Sequence, residues 1–373
     1  MKGLKLMRRF NEITIAGISV LIAFTVGCGQ KVDDDTFKKA QAENVEAKAT
    51  TATIFDGERH FADLKQLTFG GQNAEAYFSN DGQKISLQST RNALECDAIF
   101  TMNADGSNVT LVSSGKGTTT CSFIAPDGNS IIYASTHLGG AECPPPPDMS
   151  RGYVWSIYPS FDIFKADPDG RNLVRLTDTY GYDAECVISP DGTKILFTSL
   201  RSGDLELWMM NYDGTNPEQL TKEAGYDGGG FFSYDGQWIV WRASRPVGED
   251  LKTYKALLQD NLVKPSKLEL YIMNLTERKP IQLTSNNAAN FGPYFHPDGK
   301  RIIYASNTAD PKGRNFDLYM IEIATKTIER ITFNESFDAF PMFSHDGKKL
   351  VFASNRNGSE PGETNIFIAD WVE

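Results

Sequence analysis

The chain has 373 residues, 40% of them hydrophobic, and a formal net charge of −11. That is enough length for a large core in one or two domains. The first 27 residues hold Lys2, Lys5, Arg8 and Arg9 against Glu12, a net +3, so the rest of the chain carries −14. A body this acidic repels phosphate backbones, which argues against nucleic acid and leaves cationic ligands, metal ions or basic protein surfaces as compatible partners.

In chain order, the first predicted element is an export signal over residues 1–27. A basic start, MKGLKLMRR, precedes an apolar run from Ile13 to Val26. The run is short for a membrane span and has the length of a signal core. It ends in Gly27-Cys28, which resembles the lipobox of bacterial lipoproteins, although Thr25 stands where leucine is usual. The resemblance implies that Cys28 is lipidated and becomes the mature N-terminus. A plain cleaved signal or a short membrane anchor is the other reading. Gly29, in place of aspartate, resembles the outer-membrane form of the enteric sorting rule. Residues 28–57 are charged and rich in Ala and Thr, predicting a flexible tether of about 30 Å reach.

Residues 58–373 repeat. Six segments share an aromatic or apolar pair, Asp-Gly, and a β-run ending near Ser: AYFSNDGQKISLQS, CSFIAPDGNSIIYAS, CVISPDGTKILFTS, GFFSYDGQWIVWRAS, PYFHPDGKRIIYAS and PMFSHDGKKLVFAS. Their aspartates, Asp81, Asp127, Asp191, Asp235, Asp298 and Asp346, give a basic period of about 45 residues, with long insertions in repeats 2 and 4. Repeat 3 continues through LELWMMN, an Asp213-Gly214 turn and PEQLT. Four short strands per unit, joined by Asp-Gly turns, describe a propeller blade. Such a blade cannot cover its own faces, so the units must stack into a ring. Units end in an "xLT" strand, for example Glu218 to Thr221. Repeat 6 stops after NIFIADW, and its missing strand stands before repeat 1 as Leu64 to Thr68. The expected fold is therefore an all-β, six-bladed β-propeller whose N-terminal strand completes the last blade.

These repeats resemble the TolB-like (WD-repeat-like) propeller repeat of periplasmic proteins, over about 315 residues. The resemblance implies fold more than function. TolB itself carries a separate α/β domain before its propeller; the expectation here is a propeller without it, and no place in the Tol–Pal system is implied.

Asp-Gly turns all fall on one face of such a ring and the irregular connections on the other. The latter include Ala141 to Asp162 (AECPPPPDMSRGYVWSIYPSFD) and Ser244 to Leu268. Length variation confined to one face marks a binding face, or simply loops that tolerate insertion. In the repeat 4 insertion, Tyr254, Leu257, Leu258 and Leu262 fall at helical spacing before Pro265, predicting a helix that caps blade edges.

No nucleophile elbow or His-Glu-x-x-His is present, and SSGKGTTT (Ser113 to Thr120) reads as a blade-to-blade loop rather than a phosphate loop. Propeller lyases that bind a divalent metal use a histidine cluster, which His60, His137, His296 and His345 do not form by position. No catalytic residue, metal ligand or cofactor is assigned. Eight residues before the turn aspartates stand Asn73, Thr119, Asp183, Asp227, Asn290 and Asp338. They are expected at the channel mouth, where Asp183, Asp227 and Asp338 with Asn73 and Asn290 either bind a cation, an amine or a basic side chain or cap backbone N–H groups. Arg151, Tyr153, Trp155 and Tyr158 are expected beside that mouth. Cys96, Cys121, Cys143 and Cys186 are an even set in an exported protein. Repeat symmetry favours Cys96–Cys121 and Cys143–Cys186, with Cys121–Cys143 as rival and four buried thiols as the remaining case.

The expectation is a membrane-tethered, exported TolB-like propeller in the bacterial cell envelope, facing the periplasm, outer membrane favoured. It acts as a binding or scaffolding module for a protein, small molecule or glycan. The alternative is a hydrolase or lyase acting on glycan or peptide at the channel mouth.

Overall fold

In the structure, a computed structural model, residues 49–91, 94–310, 313, 315–335 and 337–373 are described. The signal over 1–27, the lipidation site Cys28 and tether residues 28–48 lie outside them.

Each repeat folds into one antiparallel sheet with its strands in sequence order. Blade 3 is representative: Asp183–Ile188, Lys194–Ser199, Glu206–Asn211 and Glu218–Gln219. The innermost strands of the six blades are Gln72–Phe78, Thr119–Ile124, Asp183–Ile188, Asp227–Phe232, Asn290–Phe295 and Asp338–Phe343. They pack in cyclic order, the last against the first, so the ring is closed. Apolar residues fill the space between blades. Trp241, Tyr304 and Phe197 are fully buried, and each such side chain stabilises by roughly 1.5–3 kcal/mol.

Three recurring hydrogen-bond devices explain the repeat. At the turn, Asp81 Oδ1 accepts from Ser79 Oγ at 2.6 Å and Gln83 N at 3.0 Å, and Asp191, Asp235 and Asp346 repeat the pattern. The following glycine takes a positive φ, 68° at Gly82, which costs a residue without Cβ little. In the "xLT" strand, the Thr221 hydroxyl accepts from Leu207 N at 2.8 Å. Thr68, Thr177, Thr284 and Thr332, and Ser113 in blade 1, do the same for their own third strands. Thirdly, every innermost strand carries a β-bulge. Its residue six before the turn aspartate (Glu75, Cys121, Glu185, Gly229, Gly292, Phe340) has φ between 49° and 59°.

The closing strand is Phe61–Gln66, paired antiparallel to Asn365–Trp371. It lies slightly earlier than the expected Leu64 to Thr68. Thr50–Thr51 adds a fifth strand outside it, and Ala52 N donates to Leu64 O at 2.8 Å. Residues 49–57 therefore belong to the propeller and not to the tether. Arg356 of blade 6 fixes this junction. Its Nη2 lies 2.9 Å from Glu58 and 3.0 Å from Asp338, and all three side chains are buried.

The disulfide pairing differs from the expected ones. Cys96 is bonded to Cys143, with Cα atoms 5.7 Å apart, while Cys121 and Cys186 are buried thiols. Cys96 and Cys143 occupy equivalent second-to-third-strand loops on adjacent blades and meet on the loop-bearing face. Cys121 sits instead at its bulge against Glu75. Cys186 packs among Ile132, Ile163 and Ile195 between blades 2 and 3. A closed loop of this length, a separation of 47 residues, stabilises by about 4 kcal/mol on chain-entropy grounds.

Acids open the third strands of blades 2 to 5. Asp162 and Asp317 have arginine partners, and Glu269 accepts from Thr284 at 2.6 Å. Glu206 is buried with Oε2 unpaired. Burial, reinforced by nearby Asp227 and Asp204, pushes its pKa up to about 8.

Two outcomes follow. Non-reducing peptide mapping should return the single link Cys96–Cys143, with Cys121 and Cys186 alkylated only after denaturation; a Cys121-linked peptide would contradict the assignment. Because native Glu206 holds its proton more tightly than the unfolded chain does, its contribution to stability declines as pH rises from the ordinary carboxylate range through 8. Glu206→Gln should therefore melt with the parent at pH 5 but several degrees above it at pH 9, at about 2–4 °C per kcal/mol. Parallel melting curves from pH 5 to 9 would rule this out.

Candidate functional site

The two long insertions meet over one end of the central channel. Trp155–Ser156 from blade 2 pairs with Leu262–Val263 from blade 4 as a two-stranded sheet, and Ile157 N donates to Asn261 O at 2.7 Å. Beneath it, Val154, Leu257 and Leu262 form an apolar cluster, and Arg151 pairs with Asp260 at the outer edge. The helix of the blade 4 insertion, α1, is Gly248–Gln259. It ends at Asp260, so Leu262 belongs to the short strand and not to the helix. Tyr254 and Leu257 are its buried residues, and the Tyr254 hydroxyl donates to Asp204 of blade 3.

Under this roof lies a well of about 640 Å³. Its walls are aromatic, with Trp155, Tyr158, Phe161, Phe291, Phe316 and Phe337 among them. Its floor comes from the bulge positions. The bulge turns those residues toward the axis, where a regular strand would bury them between blades. Glu75 Oε2 accepts from Tyr77 Oη at 2.9 Å and from the Cys121 thiol at 3.0 Å. Burial raises the pKa of Glu75, and burial together with Glu75 raises that of Cys121 well above the usual thiol range.

Blade 4 contributes an arginine from its second strand. Arg242 reaches the axis over Gly229, which leaves room for it, while Gly228 leaves room for Tyr226 and Glu185 and Gly230 for Leu196 and Leu207. A Cβ at residue 229 would stand 2.1 Å from Arg242 Nη1, and one at 228 would stand 2.6 Å from Glu185 Oε2. Arg242 Nη2 pairs with Glu185 and donates to Tyr226 Oη at 2.9 Å. Glu185 Oε2 also accepts from Thr198 Oγ1 at 2.6 Å, Tyr226 Oη at 2.9 Å and Gly229 N at 3.0 Å. The guanidinium lies 5.5–5.6 Å from the ring centres of Trp155, Tyr226 and Phe291. Burial opposes its charge, but Glu185 and its other neighbours raise its pKa further.

Below this floor the channel is filled. Tyr77 of blade 1 and Phe231 of blade 4, from opposite sides of the ring, meet at 5.4 Å. Phe231 packs on Tyr294, and the Tyr234 hydroxyl donates to Phe343 O at 3.0 Å. The well therefore opens only on the loop-bearing face.

The ring of residues eight before the turn aspartates is not on this floor. Asp183 pairs with Arg201 at 2.7 Å, Asp227 with Arg245 at 2.7 Å and Asp338 with Arg356 at 3.0 Å, each carboxylate buried. Asn73 accepts from Arg91 at 2.9 Å. Asn290 donates to Leu268 O at 2.6 Å, and Thr119 donates to Asp97 O at 2.9 Å. The arginines stand eighteen residues after their partners, and His137 holds the same place in blade 2, bound to Ser135 at 2.9 Å. These pairs lock blades, each carboxylate being turned to an arginine of its own blade. The sequence signal for them was the arginine that recurs after the second strand of blades 1, 3, 4 and 6, in STR, SLR, ASR and SNR. Tyr153, Trp155 and Tyr158 border the well; Tyr158 Oη donates to Pro145 O at 2.8 Å, bracing the proline run. Arg151 serves the roof.

The histidines are dispersed. His60 bonds Glu329 and Val372, His296 lies against Arg301, and His345 packs on Tyr234. Among the described residues, no three His, Cys, Asp or Glu side chains are grouped to hold a metal.

No protein-family model matches the chain, and no curated protein matches it. Solved structures do. A protein assigned as TolB from Agrobacterium tumefaciens is 16% identical, with 81% of this chain and 91% of that chain covered and a TM-score of 0.54. An oligogalacturonate lyase in complex with manganese is 15% identical, covering 88% and 98%, with a TM-score of 0.52. An oligogalacturonate lyase from Vibrio parahaemolyticus is 12% identical, covering 87% and 97%, with a TM-score of 0.50. These likenesses establish the TolB-like propeller fold.

The floor depends on Gly229, and this can be measured. Gly229→Ala should destabilise by about 2 kcal/mol or more, because the new methyl displaces Arg242 and uncovers Glu185. Gly292→Ala, with φ of 51° and its nearest contact at 3.3 Å, carries the same backbone strain without the clash and should cost less. Equal losses in chemical denaturation would show that backbone conformation, and not Arg242, sets the requirement.

Proposed function

We propose that this protein is an exported, membrane-tethered binding or scaffolding module of the bacterial cell envelope, and that its ligand enters the roofed well. The carrying observation is the well itself. It is a deep, aromatic-walled cavity, closed at its far end and covered by the only paired insertions among the described residues. Cavities of this size, apolar with a few convergent polar groups, are the usual form of small-ligand and peptide sites.

The envelope setting is supported by the signal-like leader and Gly27-Cys28, by the shared fold with a TolB, and by the Cys96–Cys143 bond, which suits an oxidising compartment. A protein segment, a small molecule or a glycan fits the reading, with periplasmic exposure and an outer-membrane anchor through Cys28. Hydrolase or lyase chemistry has less to rest on. Of the two floor carboxylates, Glu185 is fully engaged by Arg242, Thr198, Tyr226 and Gly229, which leaves it no part as an acid or base.

Crosslinking in envelope fractions tests the reading. The parent protein should capture a partner or ligand that Tyr153→Ala/Trp155→Ala loses at least about tenfold, as expected for removal of two aromatic anchors. Identical captures from parent and variant would overturn the assignment of the well.

A further inference from the structure

If the well is the binding site, the unequal condition of its two floor carboxylates indicates what it binds; the third carboxylate of the lining, Asp97, is held by Thr90 and Gln88. Glu185 has hydrogen-bond donors on both oxygens and an arginine partner. Glu75 has neither. Its Oε2 takes the Tyr77 hydroxyl and the Cys121 thiol, its Oε1 accepts no hydrogen bond, and no lysine or arginine among the described residues forms an ion pair with it. Arg242 attracts it from farther away, but that cation is already answered by Glu185. The floor is left with one carboxylate that has no counter-ion and one oxygen free.

We infer that the well takes an organic cation, a protonated amine carried on an apolar or aromatic body, with the ammonium on Glu75 and the body against the aromatic wall. A buried carboxylate is stable as an anion only when paired. Burial already raises the pKa of Glu75, and an ammonium supplies the missing partner. Trp155, Tyr158, Phe161, Phe316, Phe337 and Phe340 line the well, and aromatic rings attract a cation through the negative side of their quadrupoles. They also exclude the water that a small metal ion would keep. A metal ion would need several hard oxygens, where the floor offers one. The body's charge of −14 outside the leader draws cations toward the protein. Arg242 Nε, buried without a partner, and Lys264 and Lys267 in the lining are the features that would favour an anion, and an anionic probe belongs in the test for that reason.

Calorimetric titration of the purified protein at pH 7.5 with tryptamine, tryptophol and indole-3-acetate separates the cases. These probes share the indole and differ in the charge of the side chain. Tryptamine should bind at least about tenfold tighter than either of the others. Glu75→Gln keeps an acceptor for Tyr77 and Cys121; it should abolish that preference while leaving tryptophol within about twofold of its parent affinity. Trp155→Ala should weaken tryptamine and tryptophol together. Equal binding of all three probes, or tightest binding of indole-3-acetate, would overturn the amine assignment and leave the well as a binding site. Absence of tryptamine binding overturns it as well, and the crosslinking comparison then decides separately whether the well binds anything.

Discussion

Everything in this molecule depends on a ring that has to close. Blades with two apolar faces are stable only between neighbours, and the closure is made by one buried guanidinium held between carboxylates from opposite ends of the chain. Arg356 bonds Asp338 within blade 6 and Glu58 in the segment that leads into the closing strand. Removing either acid would leave a buried positive charge short of a partner, the costly half of a buried ion pair. The same device, an acid or amide on the first strand and an arginine eighteen residues later, recurs in blades 1, 3 and 4. It makes each blade rigid at the point where its chain leaves for the loop-bearing face. The channel and its roof inherit their geometry from that rigidity.

On such a frame, small backbone irregularities decide which residues are functional. The innermost strands would place residues six and eight before the turn on one face if they were regular. The bulge separates them. Residue eight turns into the blade and becomes structural; residue six turns to the axis and becomes the floor. Blade 4 adds a further step. By placing Gly229 at its bulge it gives up its own floor side chain and admits Arg242 from the next strand. The result is an asymmetric floor built from six nearly identical units.

Much of this was readable in the amino-acid sequence. Six Asp-Gly copies and a displaced final strand were enough for the blade count and the mode of closure, because turn chemistry and two-faced strands leave few other solutions. The gathering of exceptions on one face was also readable, and so was the aromatic content of the loop that now forms half of the roof. The floor residues were not, although Tyr153, Trp155 and Tyr158 at the border of the well were. Spacing alone pointed to Asp183, Asp227 and Asp338, since a carboxylate near a strand entry looks the same whether it meets an arginine or a ligand. The bulge, which exchanges the roles of neighbouring positions, leaves no mark in composition. Glu75 and Glu185 stood out only as charged residues within apolar strands. The cysteine pairing was misjudged for a related reason: repeat symmetry was used to join a loop cysteine to a strand cysteine of the next blade, whereas the bond joins equivalent loops.

The roof has a different standing from the ring beneath it. It is two segments more than a hundred residues apart in sequence, joined by a two-residue ladder, a small apolar cluster and one exposed ion pair. None of those contacts takes part in closing the ring. The molecule therefore separates the part that must be conserved in shape from the part that meets the outside. Drift in the two insertions can reshape the entrance, and with it the range of molecules admitted, without touching the architecture that keeps the protein folded.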